Sequence, residues 1–346
     1  MPIVIDSAAA RDLSPQLDDA LEIVCNEFEG LDPHRQYHNC FARVLKPDPL
    51  GRVLMMGTDQ RDLFVPLLRQ AVEQYVPAQG QIFDFGAGDG QTFAYIADAV
   101  PSGTTVSIEE PSPAYLAAYQ FFLERQPHLH RGIAIGSGIE DIEEEARRNA
   151  VELPPPASID LALGLHMIYF ATDVPESLRT MLRFVKPGGA FFSVVTDEET
   201  AYCGAVLRTF IESGGDTGDN DRYLAAIGER GHFFAPESEG GGELAAVAGA
   251  ADLDIEVQSV RQPSRMYGHT LADLLAIANI SVLVNVRGTQ KFESAAKTLR
   301  DSPREVDLRI ETEGPRAGMW SVVQPQWVTQ VRRLDRTMDP TMTRRE

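Results

Sequence analysis

Cysteine is scarce. Three occur in 346 residues, at Cys25, Cys40 and Cys203, and no C-x-x-C spacing is present. That count excludes a disulfide framework and offers no zinc-ligand pattern, so no metal is expected and a reducing compartment is. Basic residues are in deficit, 31 against 51 acidic ones, for a net charge of −20. Such a surface repels nucleic-acid backbones and anionic membranes, and neither is expected as a partner. Long apolar runs are missing too. No stretch approaches the ~20 residues of a membrane helix. The opening residues, MPIVIDSAAARDL, lack the basic and continuous apolar regions of a signal peptide. These absences together predict a cytoplasmic protein. What is present, 43% hydrophobic and 24% charged residues, supplies a full core for one large domain or a domain with an appendage.

The chain changes character near residue 80. Before it, "SPQLDDALEIVCNEF" and "RDLFVPLLRQAVEQYV" show helical spacing, with a proline bend at Pro66. After it, strands are expected at 81–85, 105–109, 131–135, 159–163 and 190–195. Helices are expected at 92–100, 113–125, 141–151 and 174–184. "LPPPAS" and "KPGG" break the chain before two of the strands. This alternation predicts a mostly parallel sheet with helices on both faces. Beyond Thr196 a helix at 198–212, the exposed loop "APESEGGGE" and strands at 254–260 and 319–323 are expected, the last two completing the sheet. The roughly fifty residues between those strands are too many for a turn and predict an inserted cap at about 264–316. The reading is thus a helical segment and substrate lid over 1–79, a main domain over 80–330, and a flexible tail over 331–346.

The stretch "DFGAGDG", residues 84–90, carries the first chemical signal. Three alternate glycines let a chain leaving a strand turn sharply and leave its backbone open to a ligand. A dinucleotide fingerprint would read G-x-G-x-x-G, but here the third glycine comes one place early, at Gly90. The next strand ends in "SIEEPSPAY", placing Glu109 and Glu110 about twenty residues beyond, where a carboxylate can accept from vicinal ribose hydroxyls. Strand, glycine turn, helix, strand and acid describe a nucleoside site. By themselves they leave NAD, FAD and S-adenosylmethionine open.

"DFGAGDG" with "EEPS", and "FVKPGGAFFSVV", resemble motifs of class I S-adenosylmethionine-dependent methyltransferases. "EPS", "LGLHMIYFATDVPESL" and "DPHRQYHNCFARVL" are similar to segments of the histamine N-methyltransferase group. The resemblance covers residues 32–45 and 80–196. It implies a Rossmann-like, seven-stranded, mostly parallel sheet with helices on both faces, an N-terminal helical lid and a C-terminal insertion. It implies S-adenosylmethionine as cofactor and a small-molecule methyl acceptor, most often an amine nitrogen. In that family the Glu before Pro-Ser holds the cofactor ribose, which implies Glu110 rather than Glu109. Asp84, Gly86, Ala87, Gly88, Ser112, Tyr115, Ser137, Gly138 and Leu165 are implied for the rest of the cofactor.

For the acceptor the resemblance implies Tyr37 and Phe41 from the lid, with Arg52 beyond them where the family has a Glu. His166 follows the fourth strand, where the family has a Gln, and could take a proton or orient the acceptor. Tyr169 and Phe170 could wall the pocket. Tyr37, His166 and Tyr169 are the candidate catalytic residues. Asn279, in the apolar "LADLLAIANISVLV", could reach the substrate from the inserted cap. His34, Arg35, Arg43 and Arg52 form a basic cluster able to bind a carboxylate. That cluster and the missing Glu leave open N- or S-methylation of a zwitterionic amino acid or a thioether such as methionine. A dehydrogenase and a non-catalytic S-adenosylmethionine-binding partner are the readings from other classes.

Overall fold

The computed structural model describes residues 2–44, 56–215, 233–234, 242–280, 283 and 286–334. In chain order the strands are β1 (Ile3–Val4), β2 (Gln81–Phe85), β3 (Thr105–Glu109), β4 (His130–Ile135), β5 (Ile159–Leu165), β6 (Val185–Thr196), β7 (Ile255–Gln262), β8 (Arg265–Gly268), β9 (Arg309–Ile310), β10 (Trp320–Val323) and β11 (Gln326–Arg333). The helices are α1 (Ser7–Asp12), α2 (Ser14–Phe28), α3 (Pro33–Val44), α4 (Gln60–Tyr75), α5 (Gln91–Ala94), α6 (Pro113–Glu124), α7 (Ile142–Arg148), α8 (Val174–Phe184), α9 (Tyr202–Glu212), α10 (Glu243–Ala250), α11 (Leu271–Ile277) and α12 (Gln290–Asp301). They fall into two compact units. One comprises Met1–Phe64, Thr196–Gly231 and Arg261–Trp327; the other comprises Val65–Val195, His232–Val260 and Val328–Glu346.

The second unit is built on a seven-stranded sheet of order β4-β3-β2-β5-β6-β11-β7. Its first five strands pair in parallel. β2 lies inside the sheet, and its "IFDF" is buried on both faces, as a parallel strand covered by helices requires. Phe83 and Phe85 stack at 4.1 Å between ring centroids, and Phe184 at the end of α8 meets Phe83 edge-on at 5.5 Å. α8 shows why such helices form where they do. Asp173 caps it by accepting from the Glu176 amide at 3.0 Å, and Val174, Leu178, Met181 and Leu182 make its buried stripe. From β2 the chain runs outward to β3 and β4, then returns to β5 on the other side of β2. The carboxyl ends of β2 and β5 therefore flank the point where the strand order reverses, where open α/β sheets bind ligands. This is a Rossmann-like, mostly parallel seven-stranded sheet with helices packed on it.

The first unit has its own core. A four-stranded antiparallel sheet of order β1-β9-β10-β8 accompanies α2, α3, α9, α11 and α12. α11 reads "LADLLAI", apolar nearly all round, and every one of its residues is buried. A capping box between Thr270 and Asp273 starts it. Phe28 of α2 meets Phe292 of α12 at 5.4 Å.

Several expectations are corrected. Residues 320–323 do not complete the large sheet; they are β10 of the small one, and β11 fills the large sheet's place. The two runs are separated only by Gln324 and Pro325, so their apolar patterns merge in the sequence. The boundary between the two units falls inside α4. By contacts, the N-terminal segment to Phe64 groups with Thr196–Gly231 and Arg261–Trp327. Their association rests on apolar faces far apart in the chain, which local periodicity does not reveal. The helix expected over 92–100 is a four-residue helix and a 3-10 turn at Ala97–Ala99. Residues 331–333 belong to β11, whereas 335–346, the loop 235–241 and Arg52 lie outside the described residues. Among the described residues, no helix is long and apolar enough to cross a membrane.

Candidate active site

The glycine turn leaves β2 after Phe85 and uses three left-handed positions, with φ of +58° at Gly86, +59° at Gly88 and +80° at Gly90. The three are crowded differently. A Cβ on Gly86 would sit 2.3 Å from the Met167 Cβ, and one on Gly90 would sit 2.6 Å from the Tyr119 ring. A Cβ on Gly88 would meet no protein atom within 4 Å. The outer glycines thus serve the protein's own packing, and Gly88 faces open space.

The turn's amides are directed at carboxylates. Gly86 N–H donates to Glu109 Oε2 at 2.8 Å, and Gly88 N–H donates to Glu110 Oε2 at 2.8 Å. Between them Ala87 N–H donates to the Glu109 carbonyl at 3.0 Å. Glu110 also accepts from the Ser112 amide at 2.8 Å, folding "EPS" back on itself ahead of α6. Tyr119, one helical turn beyond Tyr115 on α6, donates to Asp84 Oδ2 at 3.0 Å. A dinucleotide pyrophosphate needs such amides and a positive helix terminus. Here the amides are already donated to acids, and the helix that follows has four residues. The site suits a cation better than a phosphate.

Burial governs its acids. It pushes Asp84 up to about 7, opposed by the Tyr119 hydrogen bond and reinforced by Glu110. It pushes Glu109 up to about 8, opposed by the Gly86 amide and reinforced by Glu110 and Asp84. Glu110 is also raised by burial, against the amides of Ser112 and Gly88. Burial pushes the half-buried Tyr115 up to about 12, and the charges of Asp89 and Glu110 act in the same direction. Ser137, just after β4, is buried with a hydroxyl that has no hydrogen-bond partner among the described residues, and Gly138 beside it faces open space. An unsatisfied buried hydroxyl and an uncrowded glycine are features a nucleoside ligand would complete.

β5 ends in Leu165, paired with Val194 of β6, and His166 follows. His166 is held in the left-handed region at φ +55°, with its amide donating to the Val194 carbonyl at 2.8 Å. A hydrogen bond of 3.0 Å joins His166 Nδ1 and the Tyr169 hydroxyl, with the two rings nearly parallel. Tyr169 lies on the 3-10 turn Ile168–Phe170 and is buried, whereas Phe170 is 46% exposed. Met167 brings this segment against Gly86, so the strand end carrying His166 touches the glycine turn directly.

The structure therefore gathers Asp84, Gly86, Ala87, Gly88, Glu110, Ser112, Leu165, His166 and Tyr169 at the carboxyl edge of the second unit. Tyr37, Phe41 and Asn279 belong to the first unit. Tyr37 and Phe41 pack against each other on α3 at 5.8 Å, with Tyr37 resting on that unit's core. Asn279 is fully buried and accepts from the Lys291 ammonium, so its side chain is part of a core polar contact. Arg43 donates to Asp273 at 2.7 Å and to Glu27, and Arg35 pairs with Asp32 at 3.5 Å. Sequence reading set Glu109 aside in favour of Glu110 and did not single out Met167 or Tyr119. Glu109 was signalled by its place in "EEPS", and Tyr119 by its spacing of four from Tyr115. Nothing local marks Met167.

Residues 83–193 match the methyltransferase domain family. No curated protein matches the chain. Among solved structures, YcgJ from Bacillus subtilis aligns at 13% identity and a TM-score of 0.44, over 78% of this chain and all but 2% of that one, which is covered to 98%. A protein of Bacillus halodurans C-125 aligns at 10% identity and 0.45, over 79% and 100%. A SAM-dependent methyltransferase from Aquifex aeolicus aligns at 10% identity and 0.36, over 66% and 92%.

Proposed function

We propose that the protein is a methyltransferase that uses S-adenosylmethionine as its donor, and that its acceptor is a small amine, methylated on nitrogen, with His166 and Tyr169 as the acceptor-side groups. The observation that carries this reading is the His166–Tyr169 hydrogen bond, set on a left-handed residue at the end of β5 whose neighbour Met167 packs against Gly86. Rare backbone conformations of this kind cluster where function holds them.

When bound, S-adenosylmethionine supplies an electrophilic methyl group for in-line displacement. Asp84, Glu109 and Glu110 give it a negatively charged or proton-sharing surround. Ser137 and Glu110 offer hydrogen bonds to its nucleoside, and Gly88 leaves room for close approach. On the acceptor side, His166 and Tyr169 orient the amine through their shared hydrogen bond, and the neutral imidazole of His166 takes the proton that its nitrogen sheds. The strongly acidic surface favours a cationic substrate over an anionic one. Of the basic cluster that would suit a zwitterionic acceptor, Arg35 and Arg43 are already paired with acids.

The test uses methyl-labelled cofactor with separate pools of amines, amino acids and thioethers. Label should appear on nitrogen in the amine pool and fall when His166 is replaced. Label confined to the thioethers would overturn the nitrogen assignment.

A further inference from the structure

Three acids surround the glycine turn, and each has a defined contact. Glu109 is 1% exposed, Asp84 3% and Glu110 7%. Glu110 has both oxygens engaged by amides. Asp84 has the Tyr119 hydroxyl. Glu109 is the incomplete one. Its Oε2 accepts from Gly86, but its Oε1 is buried with no hydrogen-bond partner among the described residues. The charged groups that act on it are Glu110 and Asp84, both acids. Asp89 adds a further negative charge beside Glu110, and Tyr115 and Tyr119 of α6 are neutral phenols raised by burial. The opposing residue on β4 is Ile135. No cation offsets this cluster among the groups acting on it, and a buried carboxylate in that position holds a proton until a positive charge arrives.

S-adenosylmethionine carries a sulfonium charge that its demethylated product lacks. Resting on the cofactor assignment above, we infer that Glu109 is a specificity-determining residue of this site. It gives up a proton to solvent when the charged methyl donor binds and keeps more of that proton when the product is bound. The turn thereby favours the donor over its product increasingly as pH rises. The protonated state of the free site follows from burial, which raises Glu109 to about 8. Donor affinity should rise with pH up to about that value and then level off, because above it the free site has no proton left to release.

Isothermal titration calorimetry in two buffers of unlike ionisation enthalpy counts the protons released. S-adenosylmethionine and S-adenosylhomocysteine are each titrated into the wild type and Glu109→Gln, which keeps an acceptor for the Gly86 amide but cannot ionise. The ligands' own amines titrate alike in both proteins, so wild type minus variant isolates Glu109. We expect wild type to release roughly 0.3–0.9 proton more per donor bound than the variant near pH 7, with a smaller excess for the product. The donor-to-product affinity ratio should rise several-fold from about pH 6 to about pH 8 in wild type and stay flat in the variant, at up to about tenfold per pH unit for one full proton. Should the Gln variant fail to fold, Glu109→Asp should shift this pH window while keeping the proton release. Equal release by wild type and variant, or a pH-independent affinity ratio in wild type, overturns the inference. Absence of any donor binding would instead refute the cofactor assignment.

Discussion

At the scale of single residues, the three glycines of the turn separate into different roles. Gly86→Ala would drive a methyl into Met167 while holding a left-handed conformation, and overpacking of this kind costs ~1–3 kcal/mol. It should lower both stability and cofactor affinity. Gly88→Ala meets no protein atom, so its stability cost should be limited to the left-handed backbone, about 1–2 kcal/mol. Its methyl projects into the open space, and cofactor affinity should fall by more than stability predicts. Denaturant unfolding beside a binding titration checks both; wild-type affinity in Gly88→Ala would show that no ligand approaches there. The positions of these glycines were legible in the sequence. Which of them the protein itself crowds was not, because Met167 and Tyr119 arrive from distant elements. The acid following them was legible as a pair, yet only the structure shows that Glu109 and Glu110 take alternate amides of one turn.

At the scale of elements, the end of β5 sets His166 and Tyr169 beside the glycine turn, where the proposed function joins donor to acceptor. His166→Gly suits φ +55° without strain but removes a partner of the buried Tyr169 hydroxyl, so stability should fall by about 1–3 kcal/mol. Turnover should fall ~10²–10⁴-fold if His166 handles a proton. Cofactor affinity should be retained, since the turn's amides and acids are untouched. Near-wild-type turnover would mean that water takes the proton. Tyr119→Phe tests the α6 contact. The ring that fills the space beside Gly90 remains, while Asp84 loses its donor, at a cost of about 1–3 kcal/mol measured by denaturant unfolding. An unchanged midpoint would show that Asp84 is already protonated and indifferent to the phenol. The alternation of strands and helices across 81–196 was readable because most of its strands hold apolar runs and breakers precede two of them. The β10 and β11 segments were not, since their assignment to different sheets depends on partners from other parts of the chain.

At the scale of the whole molecule, the acidic site sets a pH dependence of stability. Asp84 and Glu109 have folded-state values raised to about 7 and about 8, against ordinary values of 3.8 and 4.5. The folded cofactor-free protein therefore binds protons that the unfolded chain has already lost. Their stabilising contribution is full below the ordinary values and disappears as pH rises through the raised ones. Across that window the slope is about −1.4 kcal/mol per pH unit for each proton fully retained. Thermal unfolding of the cofactor-free protein should show a lower midpoint at about pH 8 than at about pH 6, and saturating cofactor should narrow the difference. A midpoint that rises over this range would contradict the buried-acid account. The division into two units was the least legible feature. The apolar stripe of α2 and the largely apolar α11 each announce a core, but nothing local says that it is the same core.

Equilibrium titration of the purified protein with S-adenosylmethionine, NAD and FAD bears on the central claim most directly. The carboxylate-bound amides of Gly86 and Gly88 predict saturable one-to-one binding of S-adenosylmethionine and none of either dinucleotide. Saturable binding of NAD or FAD, with none of S-adenosylmethionine, would contradict it.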